Sequence, residues 1–252
     1  MAYNIVKDLS QLDTLMTDIK LSQPKTNGAG GQTVYINRKN GSKVLIQTPM
    51  MPCPFGLSEW GEGMNKKYSI DGSFNGVDHN KDMENLLKFV ENFDTYIKSI
   101  PTQDPSWFKS TKTAGVIDEL FRPSTRKHPE GKYAPTMKFK LHEVQKEIAT
   151  SFYDERSQKI NKEELTKGSK LICIIEPASV WFVNKMFGIS WKVHQVMVFA
   201  PANMSACLID NGADSGGVSD SDLNELNDFM VEPDTNSTNV SYSPWNQATV
   251  NG

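Results

Sequence analysis

The amino-acid sequence predicts an α+β fold, mainly β, in the form of a Greek-key barrel with an inserted helix. Short alternating runs of β-branched residues come first along the chain, one amphipathic helical segment follows, and strand-like runs return after it. Strands on both sides of a helical insertion are typical of α+β and partly open barrel domains, whereas parallel α/β folds alternate the two kinds of element throughout.

The first pair of strands is predicted within residues 33–49. Two alternating runs there flank Asn40 and Gly41, a dipeptide that is the strongest short signal for a hairpin turn. Residues 49–63 are rich in Pro, Gly and Met, which predicts a loop, and residues 68–74 form the next strand-like run. The barrel is therefore expected to begin with a hairpin, a long loop and a third strand.

The helical insertion is predicted at about residues 80–122. Apolar residues recur with the helical period over residues 81–100, so that one stripe of side chains faces the barrel: Met83, Leu86, Leu87, Val90, Phe93 and Ile97. A second, shorter helix is expected at residues 113–121, ending before Pro123. Strand-like runs return at residues 136–141, 149–153, 170–176, 179–183 and 189–199.

Positive charge is confined to the first part of the chain. All 27 Lys and Arg residues and 22 of the 30 Asp and Glu residues lie within residues 1–192, which therefore carry a formal charge of +5. Residues 193–252 carry −8 and, from Asn211 onward, have a composition too polar to form a core. The sequence thus predicts an N-terminal extension at residues 1–30, a folded domain at residues 31–210 and a disordered acidic C-terminal tail at residues 211–252.

Two roles are open for such a tail. Beside a basic domain it can occupy a site meant for a polyanion, from which the ligand displaces it, or it can simply keep the protein in solution. The charge distribution favours neither role over the other.

The sequence carries no motif of a known catalytic site. It has no GxxxxGK[ST], GxSxG or HExxH pattern, and neither its four His residues nor its three Cys residues have the spacing of metal ligands. We therefore expect a binding protein and not an enzyme, with no catalytic residue, metal or cofactor. No apolar run is long enough to span a bilayer and the first residues lack a signal-peptide pattern, so an intracellular location away from membranes is expected.

The strongest functional signal is the alternation of cations with aromatic residues. In residues 136–141 the period of two directs the apolar side chains inward and directs Lys138 and Lys140 outward, about 6.6 Å apart at roughly 3.3 Å per residue. That spacing suits adjacent phosphates of an extended nucleic-acid strand. The segment just before this strand adds further cations and one flat ring: Arg122, Arg126, Lys127, Lys132 and Tyr133.

A second cluster, at residues 181–192, has the pattern of two strands joined by a turn. Its rings could stack on nucleobases while its lysines hold phosphates. Only one of Trp181 and Phe182 can point outward, Phe187 at the turn is the better stacking candidate, and Trp191 is assigned to the core. The candidate contacts here are Trp181, Lys185, Phe187 and Lys192, and loop-like segments upstream add Trp60, Lys66, Lys67, Trp107 and Lys109. For Trp60 and Trp107, packing beneath a loop is the alternative.

The same residues carry a family resemblance. The segments LIQTPMMPCPFGLSEW, KKYSIDGSF, ELFRPSTRKHPEGKYAPTMKFKL and SVWFVNKMFGISWKVHQV resemble, in order and spacing, a set of proteins encoded by nucleocytoplasmic large DNA viruses. The resemblance covers about residues 44–198, and its most specific motifs are QTP with PFG, KYAPT and FGISWK. That family, first catalogued without a function, is more remotely similar to the single-stranded DNA-binding proteins of short-tailed bacteriophages. Those proteins have an OB-fold core and an acidic C-terminal tail.

The residues and the resemblance together lead to one hypothesis with one alternative. An OB-like barrel in residues 31–210 is expected to bind single-stranded DNA without sequence preference in viral DNA replication, recombination or repair. The expected location is the nucleus or cytoplasm of the infected cell, and the virion is the alternative location. Viral replication proteins that contact the tail and a second copy of the chain are further expected partners. The alternative is a virion structural or packaging protein, which an uncharged apolar patch would favour over a continuous basic groove.

Overall fold

The computed structural model describes residues 4–26, 31–63, 66–144 and 147–201. The α-helices in these ranges are α1 (Leu12–Asp18), α2 (Lys81–Gln103) and α3 (Ala114–Leu120). The strands are β1 (Ile5–Val6), β2 (Ile19–Leu21), β3 (Lys25–Thr26), β4 (Gln32–Arg38), β5 (Leu45–Gln47), β6 (Met51–Pro52), β7 (Leu57–Trp60), β8 (Lys67–Ser73), β9 (Phe121–Arg122), β10 (Thr125–Arg126), β11 (Thr136–Leu141), β12 (Glu143–Val144), β13 (Glu147–Ile148), β14 (Ser151–Tyr153), β15 (Lys159–Ile160), β16 (Lys170–Val183) and β17 (Met186–Phe199).

All of these elements belong to one compact unit, Met1–Asn203. The second unit, Met204–Gly252, contains the predicted acidic tail and lies outside the described residues. The division of the chain at residues 30 and 210 stays a prediction.

The sheet is organised around the hairpin of β16 and β17, two strands of 14 residues each. Asn184 and Lys185 join them with φ angles of 50° and 69°, the left-handed pair that a two-residue turn between twisted strands requires. From this hairpin the strands follow the order β1-β5-β16-β17-β11-β8-β7. Strands β4 and β6 also pair with β16, and strands β9 and β14 also pair with β17. The fold is therefore mainly β with few helices, as the sequence predicts.

Two parts of the sheet that are distant in the strand order approach each other at β6 and β8. A Cβ atom on Gly72 of β8 would lie 3.2 Å from the Sδ atom of Met51 in β6. No backbone pairing joins β7 to β1 within the described ranges, so the sheet as described there is not closed into a full barrel. The predicted α+β, mainly β class is confirmed, whereas the OB-like Greek-key barrel stays a prediction.

The predicted first hairpin is only partly formed. Asn40 and Gly41 do turn the chain, since Gly41 has a φ of 83° and its amide donates to the Arg38 carbonyl. The flanking strands β4 and β5, however, pair with β16 and not with each other. The long β16 offers them partners at different points of its length, residues 179–182 for β4 and residues 174–175 for β5.

Strand β16 is continuous where two strands were predicted, at residues 170–176 and 179–183. A register shift between Pro177 and Ser179 relaxes its pairing with β17 at this point. Such a bulge admits a proline, which lacks an amide hydrogen, inside a strand. The two-strand prediction is wrong because Pro177 interrupts the hydrogen-bond ladder without interrupting the strand. The predicted loop at residues 49–63 likewise holds the short strands β6 and β7.

Helix α2 follows the predicted apolar period and extends to Gln103. The side chain of Asn80 caps its first turn by accepting a hydrogen bond from the Met83 amide at 3.0 Å. The buried stripe faces the sheet, where Phe93 packs edge-on against Trp191 with ring centroids 6.2 Å apart. Trp191 is 2% exposed, which confirms its assignment to the core.

Residues 4–26 pack into the same unit. Leu9, Leu12 and Leu15 are buried in the core, and strands β2 and β3 pair with β4. Sequence reasoning gave this segment no elements because its runs are short and mix polar with apolar residues, so that neither period stands out.

A buried carboxylate links α2 to the segment before β10. Asp94 accepts hydrogen bonds from the Ser124 amide at 2.8 Å and from the Ser124 hydroxyl at 2.6 Å. The indole Nε1 of Trp191 donates to the same hydroxyl oxygen at 2.8 Å. Burial raises the pKa of Asp94 to about 6, against the opposing effect of the bonds from Ser124. At neutral pH the core therefore holds a carboxylate that would be more stable in water.

Replacing Asp94 by Asn is expected to remove a pH dependence of stability. The pKa of Asp94 is about 6 in the folded chain, against 3.8 for an ordinary Asp. The contribution of this group to the free energy of unfolding is therefore fully present below about pH 4 and is lost as the pH rises through about 6. At about 1.4 kcal/mol per pKa unit, that loss is on the order of 2–3 kcal/mol in the wild type. Urea denaturation of both proteins at the two ends of this range measures it. An equal change in the two proteins would contradict the assignment.

Candidate nucleic-acid interface

One face of the sheet carries most of the cations and rings that the sequence singles out. In β11 the side chains of Met137, Phe139 and Leu141 are buried in the core, whereas Lys138 and Lys140 point to the opposite, exposed side. This confirms the predicted alternation. We call that side of the neighbouring strands β7, β8, β11, β17, β16 and β4 the outer face.

Lysines of neighbouring strands lie side by side on the outer face. Lys140 in β11 is opposite Lys192 in β17, in the parallel pairing of these two strands. Although the Lys140 side chain is exposed, neighbouring strands partly desolvate its ammonium group, which lowers its pKa, and the charges of Lys138 and Lys192 lower the pKa further. Neither Lys140 nor Lys192 forms an ion pair with a carboxylate in the part of the chain that the structure describes. Like charges that lack a counterion are the arrangement expected of a site for an anion.

The ring of Trp60 borders these lysines on β7. Its side chain is 42% exposed, and the Nζ atom of Lys138 lies 5.7 Å from the ring centroid, within the range of a cation–π contact. The neighbouring Lys66 and Lys67 each form an ion pair with a glutamate. Lys66 and Lys67 are about as exposed as Trp60, so what distinguishes Lys138 among these three lysines is that it forms no ion pair with a carboxylate in the described ranges.

A second region with exposed rings lies across β16 and β4. Trp181 is half-buried on the outer face and covers Gly188 of β17, where a Cβ atom would lie 2.9 Å from the indole ring. Tyr35 in β4 is 48% exposed, with the Nζ atom of Lys25 5.7 Å from its ring centroid. Sequence reasoning missed Tyr35 and Lys25. The alternation of Tyr35 with two buried neighbours was the signal that could have found it.

Strand order places these groups on one continuous stretch of sheet. Strands β7, β8, β11, β17, β16 and β4 are successive neighbours. Trp60 on the first and Tyr35 on the last are therefore five strand spacings apart, roughly 24 Å across the strands at about 4.8 Å each. Lys138, Lys140 and Lys192 lie on the strands between them. The outer face thus carries a row of cations with an exposed ring at either end. Two buried carboxylates lie on the same side, Asp71 opposite Lys138 and Glu176 opposite Lys192, and each is paired with a basic side chain.

Two predicted stacking residues lie in the core instead. Phe187 is 0% exposed and Trp107 is 3% exposed. Phe187 is on the inner side of β17, where its ring packs against Trp107, Phe108, Phe121 and Phe182 with centroids 5.2–6.3 Å apart. We call these five rings the aromatic cluster. The prediction of ligand contacts for Phe187 and Trp107 is wrong because the helical insertion covers the tip of the β16–β17 hairpin.

The predicted cations between α3 and β11 are already engaged. Arg126 forms an ion pair with a buried aspartate of β8, and Arg122 donates hydrogen bonds to the backbone carbonyls of Glu119 and Phe121. Lys127 pairs with a glutamate of α2 at 2.9 Å. The role of these three residues as DNA contacts stays a prediction.

The remaining predicted residues lie on loops and turns. Tyr133, on the loop that leads into β11, is 54% exposed, with the Nζ atom of Lys132 5.4 Å and the ring of His128 5.1 Å from its ring centroid. Lys185 is exposed in the turn between β16 and β17, and Lys109 is exposed in the helical insertion. The structure does not bring Lys109 and Lys185 into the row of cations on the outer face.

The described ranges contain no group of three or more His, Cys, Asp or Glu side chains that could hold a metal ion. In the same ranges no helix has the length and apolar character needed to cross a membrane. Cys53 and Cys173 are buried free cysteines, and burial raises the pKa of both thiols. Both therefore stay protonated at neutral pH.

These features define a mainly β protein whose sheet presents a cationic face bordered by aromatic rings. The chain belongs to the family of unknown function DUF5871, which matches residues 71–207. It is 25% identical over 190 residues to the uncharacterized protein L291 of Acanthamoeba polyphaga mimivirus, an alignment that covers 71% of this chain and 31% of that protein. The chain therefore spans less than a third of the length of that relative. The resemblance to proteins of large DNA viruses, inferred from the sequence motifs, is confirmed.

Solved structures of two phage proteins resemble the chain. One is the single-stranded DNA-binding protein from bacteriophage Enc34 in complex with single-stranded DNA, with 14% identity and a TM-score of 0.42, covering 73% of this chain and 97% of the phage protein. The other is gp2.5, a single-stranded DNA-binding protein encoded by bacteriophage T7, with 12% identity and a TM-score of 0.40, covering 66% of this chain and 97% of the phage protein.

Proposed function

We propose that this chain binds single-stranded DNA, without sequence preference, along the outer face. The observation that carries the proposal is the row of lysines that lies between the exposed rings of Trp60 and Tyr35. Lysines without a carboxylate partner attract phosphates, and exposed rings are platforms on which unpaired bases stack. The sequence resemblance implies the same ligand.

The side chains of the outer face suit single-stranded DNA that is held through its phosphate backbone. Stacking on a ring requires a base whose face is open, which a duplex does not offer. Lysine holds a phosphate as a point charge in many orientations, whereas specific base contacts are made most often by the fixed donors of arginine. Arg122 and Arg126 are held by other groups of the protein. This arrangement favours binding that is independent of sequence.

The proposal extends to the fold and the biological role. We assign the domain predicted at residues 31–210, of which the described part ends at residue 201, to an OB-like Greek-key barrel. The approach of Met51 to Gly72 supports this assignment. The chain would be a binding protein without catalytic activity that acts in viral DNA replication, recombination or repair at the replication site of the infected cell. Competition of the acidic tail for the outer face, and contacts of the tail with replication proteins, concern residues outside the described ranges.

Oligothymidine is expected to quench the tryptophan emission of the protein and to bind more weakly as salt rises. Neutralising three phosphates with Lys138, Lys140 and Lys192 would give a slope of about −2 in log K against log salt, at about 0.7 per phosphate for a single strand. A fluorescence titration at low and moderate salt measures both effects, with a duplex of the same length as the control. Absence of quenching at low salt, in protein shown by circular dichroism to be folded, would rule out the proposal.

A further inference from the structure

Four basic side chains form a block on the outer face. Lys140 and His142 follow each other along one side of β11 and its end, and Lys192 and His194 do the same along β17. The parallel pairing sets Lys140 opposite Lys192, and the rings of His142 and His194 meet with their centroids 4.7 Å apart. We call these four residues the basic block.

Within the described ranges, one carboxylate faces the basic block, and it is already engaged. Glu176 of β16 is 5% exposed and lies opposite Lys192 in the strand pairing. Its Oε2 atom is 2.5 Å from the Nε2 atom of His194 and 3.1 Å from the Nζ atom of Lys43. Burial acts to raise the pKa of Glu176, but the bonds to these two partners outweigh it and the pKa is lowered. Glu176 therefore stays ionised, and its carboxylate is engaged by Lys43 and by the ring of His194.

His142 is the histidine of the block that forms no ion pair with a carboxylate in the described ranges, unlike His194. Its backbone amide is fixed by the Thr150 hydroxyl at 2.7 Å, while its buried Nδ1 atom has no hydrogen-bond partner in the described part of the chain. Burial is the largest cause that lowers the pKa of His142. The pKa is lowered further by His194 and Lys192, which face it from β17, and by Lys43 before β5. Glu176 of β16 acts in the opposite direction. In the free protein the imidazole is therefore mostly neutral at pH 7.

We infer that binding of single-stranded DNA at the basic block is coupled to the uptake of a proton by His142. The inference rests on the proposed function, because it is a phosphate of the DNA that supplies the negative charge. A phosphate beside Lys140 and Lys192 reverses the electrostatic balance around His142 and favours its charged form. The proton comes from solvent and converts the imidazole into an imidazolium, which adds a cation to the site. DNA affinity then rises as the pH falls through the range in which His142 titrates.

The sign of the effect follows from the two protonation equilibria. The free protein binds the proton at His142 more weakly than the DNA complex does, so lower pH favours the complex. Because one proton is taken up, DNA affinity cannot rise by more than about tenfold for each pH unit. We expect oligothymidine to bind about three- to tenfold more tightly at about pH 6 than at about pH 8, at constant salt. In His142→Gln most of this ratio is expected to be lost.

The test measures oligothymidine affinity by fluorescence anisotropy across this pH range for the wild type, His142→Gln and His79→Gln. His79 is exposed in the turn before α2 and serves as the matched control, which should keep the wild-type ratio. Asp94, which titrates near the same pH, is present in all three proteins, so its effect cancels in the comparison. An equal ratio in the wild type and in His142→Gln would overturn the inference.

A second measurement uses the wild-type protein, so it does not depend on whether a variant folds. Nuclear magnetic resonance of the His142 ring in the wild-type protein gives its pKa without DNA and with saturating oligothymidine, and the inference requires the bound value to be higher. An unchanged pKa in a saturated complex would overturn the coupling while leaving the proposed function intact. Failure of the wild type to bind oligothymidine at any pH would instead remove the proposed function, and the inference with it.

Discussion

The double variant Lys138→Glu with Lys140→Glu is expected to bind oligothymidine on the order of 100-fold more weakly than the wild type at low salt. Each substitution removes a phosphate contact and places a negative charge in the row that the phosphates would follow. The fold should persist, because both side chains are exposed and neither forms an ion pair within the described ranges. Fluorescence anisotropy measures the affinity, and the salt slope should become shallower by about 1.4, at about 0.7 for each lost phosphate contact.

A control variant is needed to distinguish the effect of net charge on DNA affinity from the local effect of these two positions. Lys39→Glu with Lys159→Glu changes the net charge by the same amount, at two exposed lysines that form no ion pair in the described part of the chain. Neither lies in the row of cations between Trp60 and Tyr35. This control should lose only a few-fold in affinity, through the long-range field of the protein. Equal losses in the two double variants would mean that Lys138 and Lys140 are simply solvated.

Phe187→Ala is expected to destabilise the fold by about 3–5 kcal/mol. Phe187 is fully buried in the aromatic cluster, which joins the tip of the β16–β17 hairpin to the helical insertion. Removing its ring leaves a cavity that four other rings border, and rigid rings cannot easily collapse into it. Urea denaturation measures the loss of free energy of unfolding.

Phe55→Ala is the matched control, because this phenylalanine is 59% exposed. The free energy of unfolding of Phe55→Ala should differ from that of the wild type by no more than about 0.5 kcal/mol.

The affinity of Phe187→Ala for oligothymidine should stay near that of the wild type, under conditions in which this variant is still folded. A weaker affinity without any loss of stability would contradict the core position of Phe187 and support the stacking role that the sequence predicts.

Periodic features of the fold could be predicted from sequence, since they depend on neighbours in the chain. The stripe of helix α2 and the alternation of Lys138 and Lys140 with buried residues in β11 both arise from local geometry. The same geometry could have predicted the exposure of Tyr35 between two buried residues. Its value as a site residue becomes evident only when strand order joins β4 to the row of lysines.

Features that depend on distant parts of the chain could not be predicted in this way. Whether Phe187 at a turn is exposed depends on what packs on the hairpin, and here the helical insertion does so from more than sixty residues upstream. The pairing of β4 and β5 with β16 instead of with each other depends on a strand that follows much later. Strand continuity through Pro177 depends on a bulge in the pairing with β17.

The contact of Lys138 with the ring of Trp60 makes two kinds of ligand contact interdependent. An ammonium group that turns toward a phosphate leaves the face of the indole, and that face then becomes open to a base. Backbone capture and base stacking at this corner would therefore be gained together, and their free energies would not add as independent quantities. The indole thus acts as a built-in reporter, since a change in its emission registers the departure of its own lysine as well as the arrival of a base.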